Sequence, residues 1–140
     1  MKIEVRAPVY PTEDSSRISE ALKHPFPDMA FETSQEGDIS WLGCKTTTQS
    51  SLGTFRSLIH ENRIIDAARR ILERKWNGTF TSLQIDKQAA YRGKLRIIDL
   101  DDDPPLGFID IIITTNDESQ FEEFLKWITP PTKDGRIVKD

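Results

Sequence analysis

The first nine residues impose a demand that any fold of this chain must meet. Ile3, Val5, Ala7 and Val9 fall at alternate positions, with Lys2, Glu4 and Arg6 between them. That two-residue period marks a strand with one buried and one wetted face, because successive side chains point to opposite sides of a pleated chain. A lone strand cannot bury its own apolar face, so further strands and a covering layer must follow. Gly107 to Thr114 supplies a second strand, strongly apolar and β-branched, of the kind found inside a sheet.

Helical signals fill the interval. Pro11 ends the first strand, Asp14 or Ser15 can cap a helix carrying Ile18, Ala21 and Leu22, and Pro25 and Pro27 stop it. Two strands are predicted around residues 30–33 and 39–43, joined by a turn at Gln35-Glu36-Gly37-Asp38. One long helix is predicted over 52–75 from the spacing of Leu58, Ile65, Ala68 and Leu72, with Gly78 beyond it as a cap. A strand over 79–85 leads to Asp86, which can cap a short helical turn through Tyr91 that Gly93 closes, and residues 95–98 return as a strand. Asp101 to Pro105 reads as a loop, Thr115 with Glu118 as a capping box for a helix ending near Ile128, and 131–140 as a mobile tail. The sum is one α+β domain over 1–130, a mostly antiparallel sheet with helices packed on one face.

Charge divides the chain. It has a formal net charge of −4 and a pI near 5.2, yet ten of its nineteen Lys and Arg residues lie between Arg56 and Arg96, against four acids. An acidic chain attracts a polyanion only through such a local surface. Arg56, Arg63 and Arg70 are seven apart, one stripe on a continuous helix, and Lys87, Arg92, Lys94 and Arg96 follow, with Gln88 and Tyr91 able to hydrogen-bond or stack on bases. An ordinary account competes. Asp66 and Glu73 stand at helical pairing distance from Arg70, and Ala89, Ala90 and Tyr91 suit the packing of a short turn onto the core.

Other chemistry finds little support. His24 and His60 have no recognisable partners, and the single Cys44 excludes both an internal disulfide and a Cys-based zinc site. Asp101 to Asp103 could meet magnesium, but adjacent carboxylates diverge; no glycine spacing makes a phosphate loop. No metal, cofactor or catalytic residue is expected. The alternating N-terminus and the lack of a long apolar run point to a cytoplasmic protein with neither signal peptide nor membrane span.

The segment from Leu83 to Lys94, with Pro11-Thr12-Glu13-Asp14, residues 63–69 and Pro105-Leu106-Gly107, resembles the archaeal uncharacterised protein family 0201, a family of predicted RNA-binding domains. The resemblance runs to about Ile113. It implies a fold similar to the ribosomal protein that holds 5S RNA, an association with RNA processing including the exosome, and a homodimer, for which the hairpin bearing Trp41 and Leu42 offers a surface. Asp86 stands where the family more often has asparagine, which argues against direct phosphate contact there. The expected RNA contacts are Arg63, Arg69, Arg70, Lys87, Arg92 and Lys94, with Gln88 and Tyr91 as polar and stacking groups. Two alternatives stay open: a dimeric protein-interaction module, and an enzyme holding a small anion beside Gln88 and Lys87.

Overall fold

The computed structural model describes residues 1–99, 107–133 and 136–137. The chain runs β1 (Lys2–Val9), α1 (Ser15–Lys23), β2 (Glu32–Glu36), β3 (Ile39–Thr46), a 3-10 turn (Gln49–Leu52), α2 (Gly53–Glu61), α3 (Ile65–Lys75), β4 (Phe80–Asp86), α4 (Lys87–Tyr91), β5 (Phe108–Thr114) and α5 (Glu118–Ile128). Two short strands follow, β6 (Thr132–Lys133) and β7 (Arg136–Ile137), paired with each other inside the segment expected to be a tail.

Five strands form one antiparallel sheet in the order β2-β3-β1-β5-β4. The alternating β1 is its central strand. Val5 faces Cys44 on β3 and Ile111 on β5, so apolar residues stand in rows across the sheet. Ile3, Val5 and Ala7 of β1, Ile109, Ile111 and Ile113 of β5, and Leu83 and Ile85 of β4 are all buried. They share one core with Ile18 and Leu22 of α1, Phe55 and Ile59 of α2, Ala68 and Leu72 of α3, and Phe124 of α5. The architecture is therefore the expected α+β one, with helices on one sheet face. Arg6, Trp41, Asp110 and Ile112 point to the other face and are only partly covered.

Four local expectations change. The hairpin strands shift, with β2 at 32–36 and a two-residue loop in which Gly37 takes φ 63, a conformation free of strain for glycine. Thr115 does not cap α5; Asp117 does, accepting 2.8 Å from Gln120 N, while Thr115 is buried. Residues 95–98 form only an isolated bridge, Ile97 opposite Ile85, fixed by Asp86 N donating to Arg96 O and Ile98 N to Gln84 O. The Asp101–Asp103 loop lies outside the described residues.

The fourth change matters most for the arginines. The long helix breaks at Asn62-Arg63-Ile64 because it carries two apolar stripes. Phe55 and Ile59 make one, while Ile65, Ala68 and Leu72 make the other; Ile59 and Ile65 are six apart, roughly 240° around a helix. A straight helix could bury only one stripe. The break turns the second inward. Arg63 takes the turn in the left-handed region at φ 56, where Asn62 N and Nδ2 both donate to Leu58 O. Left-handed backbone costs a residue with a Cβ roughly 1–2 kcal/mol, which glycine avoids at some entropic expense in the unfolded chain. Arg63→Gly should accordingly raise stability by up to about 1 kcal/mol in urea denaturation, the reverse of the usual glycine effect in a helix.

Candidate functional site

β4 passes directly into α4, and this junction builds the site. Asp86 caps α4 by accepting from Gln88 N at 2.9 Å, and its other oxygen accepts from Arg96 Nη1 at 2.9 Å. The cap fixes the first turn so that Lys87, Ala89 and Ala90 face inward and Gln88 outward. Gly93 at φ 69 closes the turn, with Lys94 N returning to Ala89 O. α1 packs against α4.

Lys87 is wholly buried. Its Nζ donates to Glu13 Oε1 at 2.8 Å and to Pro8 O at 2.8 Å, and lies 5.2 Å from the Tyr10 ring centre. Glu13 Oε1 also accepts from Tyr10 N at 3.0 Å, and Tyr91 OH donates toward Glu13 Oε2 at 3.5 Å. This corrects the expected phosphate contact at Lys87: the ammonium is spent tying the β4–α4 junction to the turn between β1 and α1. Burial pulls the Lys87 pKa below the ordinary lysine value, and Glu13 opposes that shift by its hydrogen bond and its charge. Burial and the Glu13 carboxylate push Tyr91 up to about 12.

A solvent-facing rim surrounds this buried pair. Thr12, Glu13, Asp14, Arg17, Gln88, Tyr91 and Arg92 line a depression of about 480 Å³. Arg17 lies 5.7 Å over the Tyr91 ring, and Arg17, Gln88, Arg92 and Lys94 are exposed. Arg17 and Glu13 were absent from the expected set. Only the Pro11–Asp14 element of the family resemblance pointed near them, since nothing local in sequence joins α1 to α4.

The other arginines divide. Arg69 is not free for phosphate: its Nε and Nη2 donate to Thr129 O at 3.3 and 3.2 Å, Nη2 also to Pro130 O, and Nη1 pairs with Asp66 at 3.3 Å. Arg56 Nε donates to Trp127 O at 2.6 Å, and His60 Nε2 meets Ile128 O at 2.9 Å. Three basic side chains of the expected stripe region thus satisfy the open carbonyls at the C-terminal end of α5. Arg63 and Arg70 are exposed, but the helix break removes their shared face with Arg56. The hairpin surface also changes: Leu42 is core, and Trp41 lies under Arg6 on the opposite face. Among the described residues no group of three His, Cys, Asp or Glu side chains could hold a metal, and no helix is long and apolar enough to cross a membrane.

The buried pair makes two predictions. Lys87→Met alone strands the Glu13 carboxylate and should cost about 3–5 kcal/mol in urea denaturation, most of which Glu13→Gln in the same chain should restore. Tyr91 should ionise near pH 12 by ultraviolet titration of a Tyr10→Phe chain, and Glu13→Gln should bring that midpoint down. Because the folded value lies above the unfolded value near 10, folding stability should hold below pH 10 and fall as pH rises from there toward 12.

Comparison with known proteins places this geometry in a family. A family model described as RNA binding matches residues 2–126. A UPF0201 protein of Thermococcus kodakarensis is 37% identical over 134 residues, covering 96% of this chain and 93% of its own. A UPF0200/UPF0201 protein of Archaeoglobus fulgidus is 32% identical over 100% of this chain but only 41% of its own length. Among solved structures, the UPF0201 protein of Methanococcus jannaschii superposes with a TM-score of 0.82 at 28% identity, covering 99% of this chain and 100% of its own. The chain belongs to the RNA-binding family that this model describes, together with the archaeal UPF0201 proteins.

Proposed function

We propose that this protein is a non-catalytic RNA-binding protein that contacts the RNA backbone through the exposed rim of α1 and α4. Arg17, Arg92 and Lys94 supply phosphate contacts, Gln88 a polar contact to an exposed base edge, and Tyr91 with Arg17 over it a stacking surface. Arg63 and Arg70 extend the contact for a longer RNA. The observation that carries the reading is the convergence of two exposed cations, Arg17 and Arg92, with Gln88 and Tyr91 on a rim held by the Lys87–Glu13 pair. The family model supports the same class of ligand. Glu13 and Asp14 beside the rim favour contacts that end on the cations over a continuous phosphate track.

In this reading structured RNA is the partner, the protein works as a cytoplasmic homodimer in RNA processing, the exosome included, and the fold is related to the ribosomal protein that holds 5S RNA. One observation favours a second reading, a protein-interaction module: in the Archaeoglobus relative the matching region is under half of a longer polypeptide, so there it is joined covalently to a further segment.

The test is fluorescence anisotropy with structured and single-stranded RNA over a range of salt. Arg92→Ala/Lys94→Ala should weaken binding to all sequences alike and lower the salt slope by about 2. An unchanged affinity and slope would remove this surface from RNA binding, and RNA binding absent even at low salt would favour the protein-partner reading.

A further inference from the structure

The helix-free face of the sheet holds a cation that the fold leaves unsatisfied. Arg6 sits on this face of the central strand, and its Nε is buried with no hydrogen-bond partner among the described residues. Its guanidinium stacks 4.7 Å from the centre of the Trp41 ring. The neighbouring carboxylates are engaged elsewhere: Asp110, directly across from Arg6 on β5, accepts from Gln84 Nε2 at 2.7 Å, and Glu4 lies 3.9 Å from Lys45 Nζ. An unpaired buried donor costs roughly 1–3 kcal/mol, and such groups are rare unless an unseen water, ion or ligand satisfies them.

The space beside Arg6 is shaped by one missing side chain. Gly43 pairs with Arg6 on one side and Glu32 on the other, and no Cβ rises from it over the sheet. A cavity of about 500 Å³ opens there, walled by Arg6, Trp41, Lys45, Glu4, Glu32 and Glu36. Glu4 and Lys45 face each other across β1 and β3 and offset one another, which leaves Arg6 at one side of the cavity and Glu32 and Glu36 at the other. Arg6 lies on β1 and Glu32 on β2, two strand spacings away, roughly 10 Å.

We propose that this cavity binds a small zwitterionic molecule, its oxyanion held by Arg6 and its ammonium or other N–H donors by Glu32 and Glu36. The guanidinium fork matches the two oxygens of a carboxylate or phosphate, and stacking on Trp41 fixes the plane of that fork before the ligand arrives. The carboxylates on the far wall repel a polyanion, which separates this site from the proposed RNA rim and selects a ligand with charge of both signs.

The experiment follows the Arg6 Nε–H and Trp41 Nε1–H signals of the ¹⁵N-labelled full chain by NMR during titration with 6-aminohexanoate. Acetate and inorganic phosphate serve as probes carrying only the anionic end. The expected result is a saturable shift of both signals, with 6-aminohexanoate binding at least about tenfold more tightly than either simple anion. Arg6→Gln should abolish the response. Gly43→Ala provides a variant that keeps the fold, since the added Cβ would meet Arg6 Cβ at 3.7 Å and Val5 O at 3.8 Å, both ordinary contacts. It should leave the rest of the spectrum in place and weaken binding about tenfold or more by filling the cavity floor. A response that never saturates, equal affinity for all three probes, undiminished binding in Gly43→Ala, or saturable displacement of these signals by an RNA oligonucleotide would each overturn the proposal.

Discussion

The buried Lys87–Glu13 pair is the fixed point of the molecule. Two opposite charges lie almost out of reach of water, at 0% and 6% side-chain exposure, and neither residue is tolerable there alone. The pair spans 74 residues of sequence and joins the turn after the central strand to the junction of the edge strand with α4. Pro8 O and Tyr10 N complete the ring of partners, so the charges are paired and hydrogen-bonded together. Everything on the α1–α4 rim takes its position from that anchor. Tyr91 keeps its phenol toward Glu13, Arg17 covers the ring, and Gln88 and Arg92 are left facing water.

The basic window has more than one purpose. Arg56 and His60, one turn apart on α2, and Arg69 on α3 reach the same target, the backbone carbonyls from Trp127 to Pro130. These carbonyls end α5 and carry the negative pole of its dipole, so positive side chains are where physics favours them. Local charge in a sequence counts these cations as surface, whereas the fold uses them as mortar between helices. The exposed remainder is smaller and lies partly elsewhere, on α1 as well as on α4.

The sheet presents its two faces differently. One is closed by the helices α1 to α5 around a continuous apolar core. The other carries a row of charged and aromatic side chains around Gly43, including the unsatisfied Arg6. A protein that only had to fold would gain by pairing or replacing that arginine, and real sequences depart from local consistency most often where function requires it. The rim and the open face use separate residues, so a nucleic acid and a small zwitterion need not compete for the same groups.

Much of the architecture was legible from local pattern. The period-two run of β1, the β-branched run of β5, the Asp14 and Asp86 caps and the closing Gly93 are each decided within a few residues, by pleat geometry and by the hydrogen bonds a capping carboxylate can reach. The break at Arg63 was also written in the sequence, as two apolar stripes about 120° apart around one helical span, but choosing between them required knowing that both meet the same core. The fates of Lys87, Arg69 and Arg17 were not legible. Whether a lysine meets solvent or a carboxylate 74 residues away depends on which elements become neighbours, and single-sequence periodicity carries no such long-range term. The sequence by itself determined that a one-sided antiparallel sheet would form, because alternating apolar residues must be buried on one face; the tertiary structure alone decided which charges are sealed in and which are free, because desolvation and pairing exist only once distant segments touch.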